Sequence, residues 1–124
     1  LNHRPDVLFI DYALNDRRIG LDKAKKSWEK MIKKALKKKI KIILLTPSPD
    51  LKVNLLDSEN VLERHTLQII KLALTHKIGL VNSYQLFRNK LTEGEDLANY
   101  MSQSNHPNEK GHTLIATEII RLFK

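Results

Sequence analysis

Two short polar clusters carry the residue types from which chemistry could be built. Ala13-Leu14-Asn15-Asp16 offers an amide and a carboxylate side by side, and Asn105-His106-Pro107-Asn108-Glu109-Lys110-Gly111-His112 offers two imidazoles. Each also has an ordinary structural reading. Asn15 and Asp16 are turn residues whose side chains bond nearby backbone, and His106 before Pro107 is a loop residue with Asn108 free to cap a helix. Asp11, Asp16 and Asp50 would suit a magnesium site only if the fold brought them together. His3, His65 and His76 have no partners at metal-ligand spacing, so neither a metal nor any other cofactor is expected. The absence of cysteine removes thiolate zinc sites, iron–sulfur clusters, disulfides and a cysteine nucleophile.

The flanking pattern indicates which elements hold these clusters. Val7 to Tyr12 is short and apolar, as a buried parallel strand is. A helix over about 22–39 follows, and Ile40 to Thr46 forms a second buried strand that Pro47-Ser48-Pro49 stops. Asn60, with Glu63 three residues on, has capping-box spacing and opens a helix running towards His76. Gly79 ends the turn after it, residues 79–82 give a third strand, and Tyr84 to Leu91 a short helix. Residues 92–105 form a polar stretch with little pattern. Asn108 caps a last helix whose inner stripe is Ile115, Ile119 and Leu122, flanked by Leu114 and Phe123. Strands alternating with helices require a parallel sheet covered on its faces. In such α/β sheets ligands sit beyond the carboxyl ends of the strands, which is where Asn15 falls.

At 124 residues the chain has room for one small core, and a single domain over 1–124 is expected. Lys+Arg 22 against Asp+Glu 14 gives a net charge of +8, but ten of the lysines lie between Lys23 and Lys41. Among them Ala24, Trp28, Met31, Ile32, Ala35 and Leu36 recur at helical spacing. The segment therefore reads as an amphipathic helix that packs Trp28, Met31, Ile32 and Leu36 on the sheet and turns lysines outward. It lacks the arginines and interleaved aromatics of a nucleic-acid surface, so nucleic acid is not an expected partner. No apolar run reaches the roughly 18–20 residues of a membrane span. Compartment is left open between cytoplasm and export.

The two clusters together resemble conserved blocks of the SGNH/GDSL hydrolases. Ala13-Leu14-Asn15-Asp16 looks like that family's Gly-x-Asn block, and His106-Pro107-Asn108-Glu109-Lys110-Gly111-His112 looks like its histidine block. The resemblance implies a three-layer α/β/α, flavodoxin-like fold and a serine esterase or acylhydrolase acting on a small acetyl or acyl ester. It makes Asn15 the oxyanion-hole donor and His106 the general base. Ala13 stands where the family usually has glycine. Gln103 stands where the family's aspartate orients the histidine, and His112 is read as packing or capping.

The family's Gly-Asp-Ser block occurs nowhere in the chain. Ser48, Ser58, Ser83, Ser102 and Ser104 all stand in the wrong elements. The chain thus reads as the C-terminal part of such a hydrolase, incomplete at its N-terminus and inactive alone. Its expected partners are an ester substrate and either the missing N-terminal segment or a second copy paired through open sheet edges. A noncatalytic α/β module that binds an acidic partner through the lysine-rich helix is the alternative.

Overall fold

A computed structural model describes residues 5–124, so His3 lies outside it. Strand β1 (Val7–Ile10) leads through a single helical turn, α1 (Ala13–Asp16), into α2 (Leu21–Lys37) and β2 (Lys41–Leu45). Helix α3 (Val61–His76), β3 (Gly79–Val81) and α4 (Ser83–Thr92) follow. A 3-10 turn (Leu97–Tyr100), a small hairpin of β4 (Met101–Gln103) and β5 (His106–Pro107), and α5 (Glu109–Arg121) complete the chain. The sheet runs β1-β2-β3, all parallel, with Leu8 opposite Ile42 and Leu44 opposite Leu80.

Alternation along β2 makes three layers, because successive side chains point to opposite faces. Ile42 and Leu44 face Trp28, Ile32 and Ala35 of α2 and Ile69, Leu72 and Ala73 of α3. Ile43 and Leu45 face the other way, where Ile115 and Ile119 of α5 pack with Val7 and Val81. A third cluster, built from Leu55, Tyr84, Phe87, Leu97 and Tyr100, joins α4 to the 3-10 turn.

Several details differ from the sequence reading. Met31 and Leu36 do not pack on the sheet: they are 40% and 41% exposed. The buried line of α2 is Ala24-Trp28-Ile32-Ala35, with Met31 on the flank towards β1 and Leu36 on the flank towards Ile78. Leu122 is exposed because α5 ends one residue before it. Residues 97–103, expected to lack pattern, form the 3-10 turn and β4. Strand β1 stops at Ile10 because the Tyr12 carbonyl is taken by the next turn, accepting from Asn15 N and Asp16 N at 3.1 Å each.

Gly79 lies inside β3 rather than in the turn. A Cβ there would sit 3.0 Å from Ile43 Cγ1, so glycine lets β3 approach β2 closely. The turn itself is made by Lys77, with φ 54, and the helix α2 ends in the same way at Lys39, with φ 59. In both places the following isoleucine closes the joint: Ile40 N donates to Ala35 O at 3.0 Å and Ile78 N to Ala73 O at 3.1 Å. The local sequences agree at four of six positions, Ala35-Leu36-Lys37-Lys38-Lys39-Ile40 against Ala73-Leu74-Thr75-His76-Lys77-Ile78.

Candidate active site at the carboxyl end of the sheet

The turn that follows β1 is held from beneath. Ala13 is 1% exposed and belongs to the core beside Ile10 and Trp28, so the extra methyl relative to glycine fills space. Asp16 is also buried and accepts from Trp28 Nε1 at 2.6 Å. Asn15, between them, is exposed. Arg17 ties the turn off, its Nε donating to the Leu14 carbonyl at 3.1 Å.

Arg17 also reaches the loop after β2, where it meets Asp50 Oδ2 at 2.9 Å. That loop is unusually buried for a connection: Thr46, Pro47, Ser48, Pro49 and Asp50 are all inaccessible. Two of its polar side chains, Thr46 and Asp50, are paired internally, as burial demands. Thr46 Oγ1 donates to Asn82 Oδ1 at 2.8 Å and accepts from Tyr84 N at 3.0 Å, which ties β2 to the start of α4. Burial pushes the Asp50 carboxyl up, but the Lys52 amide, and the hydrogen bond and charge of Arg17, outweigh it and hold the group below the usual carboxylate range.

The histidine cluster rests on the same loop. Leu51 N donates to Ser104 O at 2.7 Å, and Ser104 with Asn105 forms the two-residue turn between β4 and β5. Gln103 and His106 are direct cross-strand partners there, both exposed. Such partners bring Cβ atoms to about 5 Å, so a neutral amide stands beside the imidazole. Ser102 Oγ donates to the His106 carbonyl at 3.1 Å, fixing the strand but leaving the ring free of that contact.

Asn108 anchors the hairpin to α5. Its Oδ1 accepts from Gly111 N at 3.0 Å, its N donates to Tyr100 O at 2.9 Å and its Nδ2 to Asn99 O at 2.9 Å. His112 is exposed and does neither of the jobs expected of it, because Asn108 makes the cap. Glycine is required at 111: an added Cβ would overlap the Tyr100 carbonyl and lie 2.9 Å from Pro107 Cβ.

The three aspartates do not form a magnesium cluster. Asp16 is engaged by Trp28 and Asp50 by Arg17, and among the described residues no three His, Cys, Asp or Glu side chains group to hold a metal. Ser48 and Ser83 are buried. His65 is buried with Nε2 unpaired among the described residues. Burial, joined by the charge of Arg17, lowers its pKa against the pull of Asp16. The Arg17–Asp50–Leu51–Ser104 path was not foreseen from sequence, since a pair 33 residues apart leaves no periodic trace.

The chain matches no protein-family model and no curated protein. Two solved structures match it. One is a member of the lipolytic G-D-S-L family from Veillonella parvula, 20% identical with a TM-score of 0.74, over 94% of this chain and 62% of that one. The other is the acetyl xylan esterase AlAXEase, 21% identical with a TM-score of 0.75, over 98% of this chain and 68% of that one. The chain therefore spans less than two thirds of the first neighbour and slightly more of the second. The chain thus shares with these two structures a fold in which three parallel strands, in the order β1-β2-β3, carry helices on both faces.

Proposed function

We propose that this chain supplies the oxyanion donor and the general base of a serine ester hydrolase, with Asn15 and His106 in those roles. The observation that carries the reading is their common abutment. Two residues beyond Asn15, Arg17 grips Asp50, and Leu51 beside it holds Ser104, two residues before His106. One rigid loop thereby supports both groups, and both remain exposed, as groups that await a substrate must.

Ester hydrolysis by serine needs a base for the hydroxyl proton, because serine is a weak nucleophile at neutral pH. His106 takes that proton and returns it to the leaving alcohol. Before that return, as the serine oxygen bonds to the carbonyl carbon, charge develops on the carbonyl oxygen and the Asn15 side-chain amide donates to it, a contact worth more in the transition state than in the ground state. Water deprotonated by His106 then attacks the acyl-serine in the same way and frees the acid. Gln103, the cross-strand partner of His106, would offer its amide oxygen to a ring N–H. It orients the imidazole without the charge that a carboxylate would lend the imidazolium.

The serine comes from a segment that adds a strand to the open edge of β1. Among the described residues only β2 pairs with β1, and Phe9, Tyr12 and Met31 stand 42%, 59% and 40% exposed along the other side. They line a cavity of about 530 Å³ with Leu8, Ile10 and Trp28. An uncovered strand edge with apolar flanks accepts another strand. A small acetyl or acyl ester is the substrate class, in keeping with the esterase neighbour.

Hydrolysis of p-nitrophenyl acetate tests the reading, comparing residues 1–124 with a form that carries the serine-bearing segment. Residues 1–124 alone should stay at background, and the longer form should turn over. There, Asn15→Ala should cost about a hundredfold or more, and His106→Ala nearly all activity. Robust turnover by residues 1–124 that survives His106→Ala would overturn the assignment.

A further inference from the structure

Helices α2 and α3 lie side by side on one face of the sheet, joined where Gln68 Nε2 donates to the Leu21 carbonyl at 3.0 Å. On α2 the residues opposite the buried line are Lys26, Lys30, Lys33 and Lys37, at four-three-four spacing and all exposed. One outward line of a helix therefore consists wholly of cations. Among the described residues none of these four pairs with a carboxylate, and like charges at this spacing repel one another. On α3 the corresponding outward line is Leu67, Lys71 and Leu74, with the two leucines 57% and 74% exposed. Lys25 and Glu29 from α2 meet Leu67 and Lys71 from α3 along one shallow groove, so the two lines belong to a single surface.

We infer that this two-helix face docks on an anionic lipid bilayer, with the lysines over the headgroups and Leu67 and Leu74 entering the boundary with the acyl chains. Charge complementarity points to a polyanion, and the detail selects lipid. Nucleic acid is gripped by arginine forks and aromatic platforms. The lysine line has neither, since α2 contains no arginine and its one aromatic, Trp28, is buried, while the one arginine of α3, Arg64, is paired with Glu59. Exposed leucines gain nothing from a phosphate backbone but gain from the apolar boundary of a membrane. Lysine, a hydrated point charge on a flexible stem, suits a smeared field better than a shaped protein partner. Among the described residues no helix is long and apolar enough to cross a membrane, and adsorption requires none. The inference does not depend on the esterase reading.

The test is flotation of residues 1–124 with vesicles of equal parts phosphatidylcholine and phosphatidylglycerol, against pure phosphatidylcholine. Binding is expected only to the anionic vesicles and should be released as salt rises to about 0.5 M, where screening shortens to a few ångströms. Each Lys→Glu among Lys26, Lys30, Lys33 and Lys37 should weaken binding by about fivefold or more. Leu67→Ser with Leu74→Ser should weaken it by about tenfold with the charge unchanged. Circular dichroism checks that the variants are folded. The leucine pair and the salt titration keep the test decisive if a lysine variant does not fold. Equal binding to both vesicle types, salt-resistant binding, or no binding overturns the inference. So does unchanged binding of the leucine pair, and duplex DNA held more tightly than vesicles would mark a general polyanion surface instead.

Discussion

Replacing Gly111 with alanine probes the joint between the histidine hairpin and α5. The new methyl would overlap the Tyr100 carbonyl, which is backbone, and press on the Pro107 ring at 2.9 Å; neither neighbour can rotate away. The helix must back off instead. That stretches the Asn108 N to Tyr100 O bond, now 2.9 Å, whose loss costs about 1 kcal/mol, and overpacking adds about 1–3 kcal/mol. Alanine returns at most about 1 kcal/mol in helix propensity. The balance is a loss of about 2 kcal/mol, a fall in Tm of about 8 °C for a chain of this size. Gly79→Ala is the comparison, because its methyl meets the Ile43 side chain at 3.0 Å, a neighbour that can yield, so its cost should be smaller. Urea unfolding followed by circular dichroism measures both. If Gly111→Ala lies within about 0.5 kcal/mol of wild type, or Gly79→Ala costs more, the close approach that locates the hairpin is wrong.

Arg17→Met should destabilise the chain by about 1–3 kcal/mol, because the Asp50 side chain is 8% exposed and would keep only the Lys52 amide; Arg17 is 24% exposed, so water tempers the loss, and an unchanged urea midpoint would show that the clamp contributes nothing. Asp50, ionised more readily in the folded chain than its ordinary value of 3.8, contributes stability above that pH which is lost as pH falls through its folded value, and Arg17→Met should move this acid limb to higher pH. His65 stays neutral in the fold below its ordinary 6.5, so the unfolded chain binds its proton first, and stability should fall as pH drops through 6.5 and below. Urea titrations of wild type and His65→Leu should differ in slope over that range; parallel slopes would refute the linkage.

What could be read from sequence follows the distance over which each feature is encoded. The parallel strands were legible because burial on both faces leaves continuous apolar runs, as in Ile42-Ile43-Leu44-Leu45, and Asn60 and Asn108 because a helix cap is set by a residue three positions away. Met31 and Leu36 misled because apolar spacing shows which way a helix turns, not how wide a surface awaits it. Here the sheet has three strands, and residues on the flanks of α2 overhang it. The β4–β5 hairpin was invisible, since strands of three and two residues cannot show alternation. Its existence depends on Asn108 and Leu51, both bonding across the fold. Asn15 and His106 were proposed from resemblance; what lies beneath them, from Trp28 to Asp50, is tertiary and had no local sign.

The two left-handed lysines have a consequence for how much alteration this chain can absorb. Lys39 and Lys77 adopt a conformation that costs a residue with a Cβ about 1 kcal/mol, at the end of the sheet away from Asn15. Neither position is glycine, so the chain holds a reserve: two matched joints where a change to glycine would relax the backbone without touching the loops at the other pole. A lineage or an engineer could draw on that reserve to offset destabilising changes made around Asn15 and His106, and because the joints repeat one design, a solution found at the first should transfer to the second.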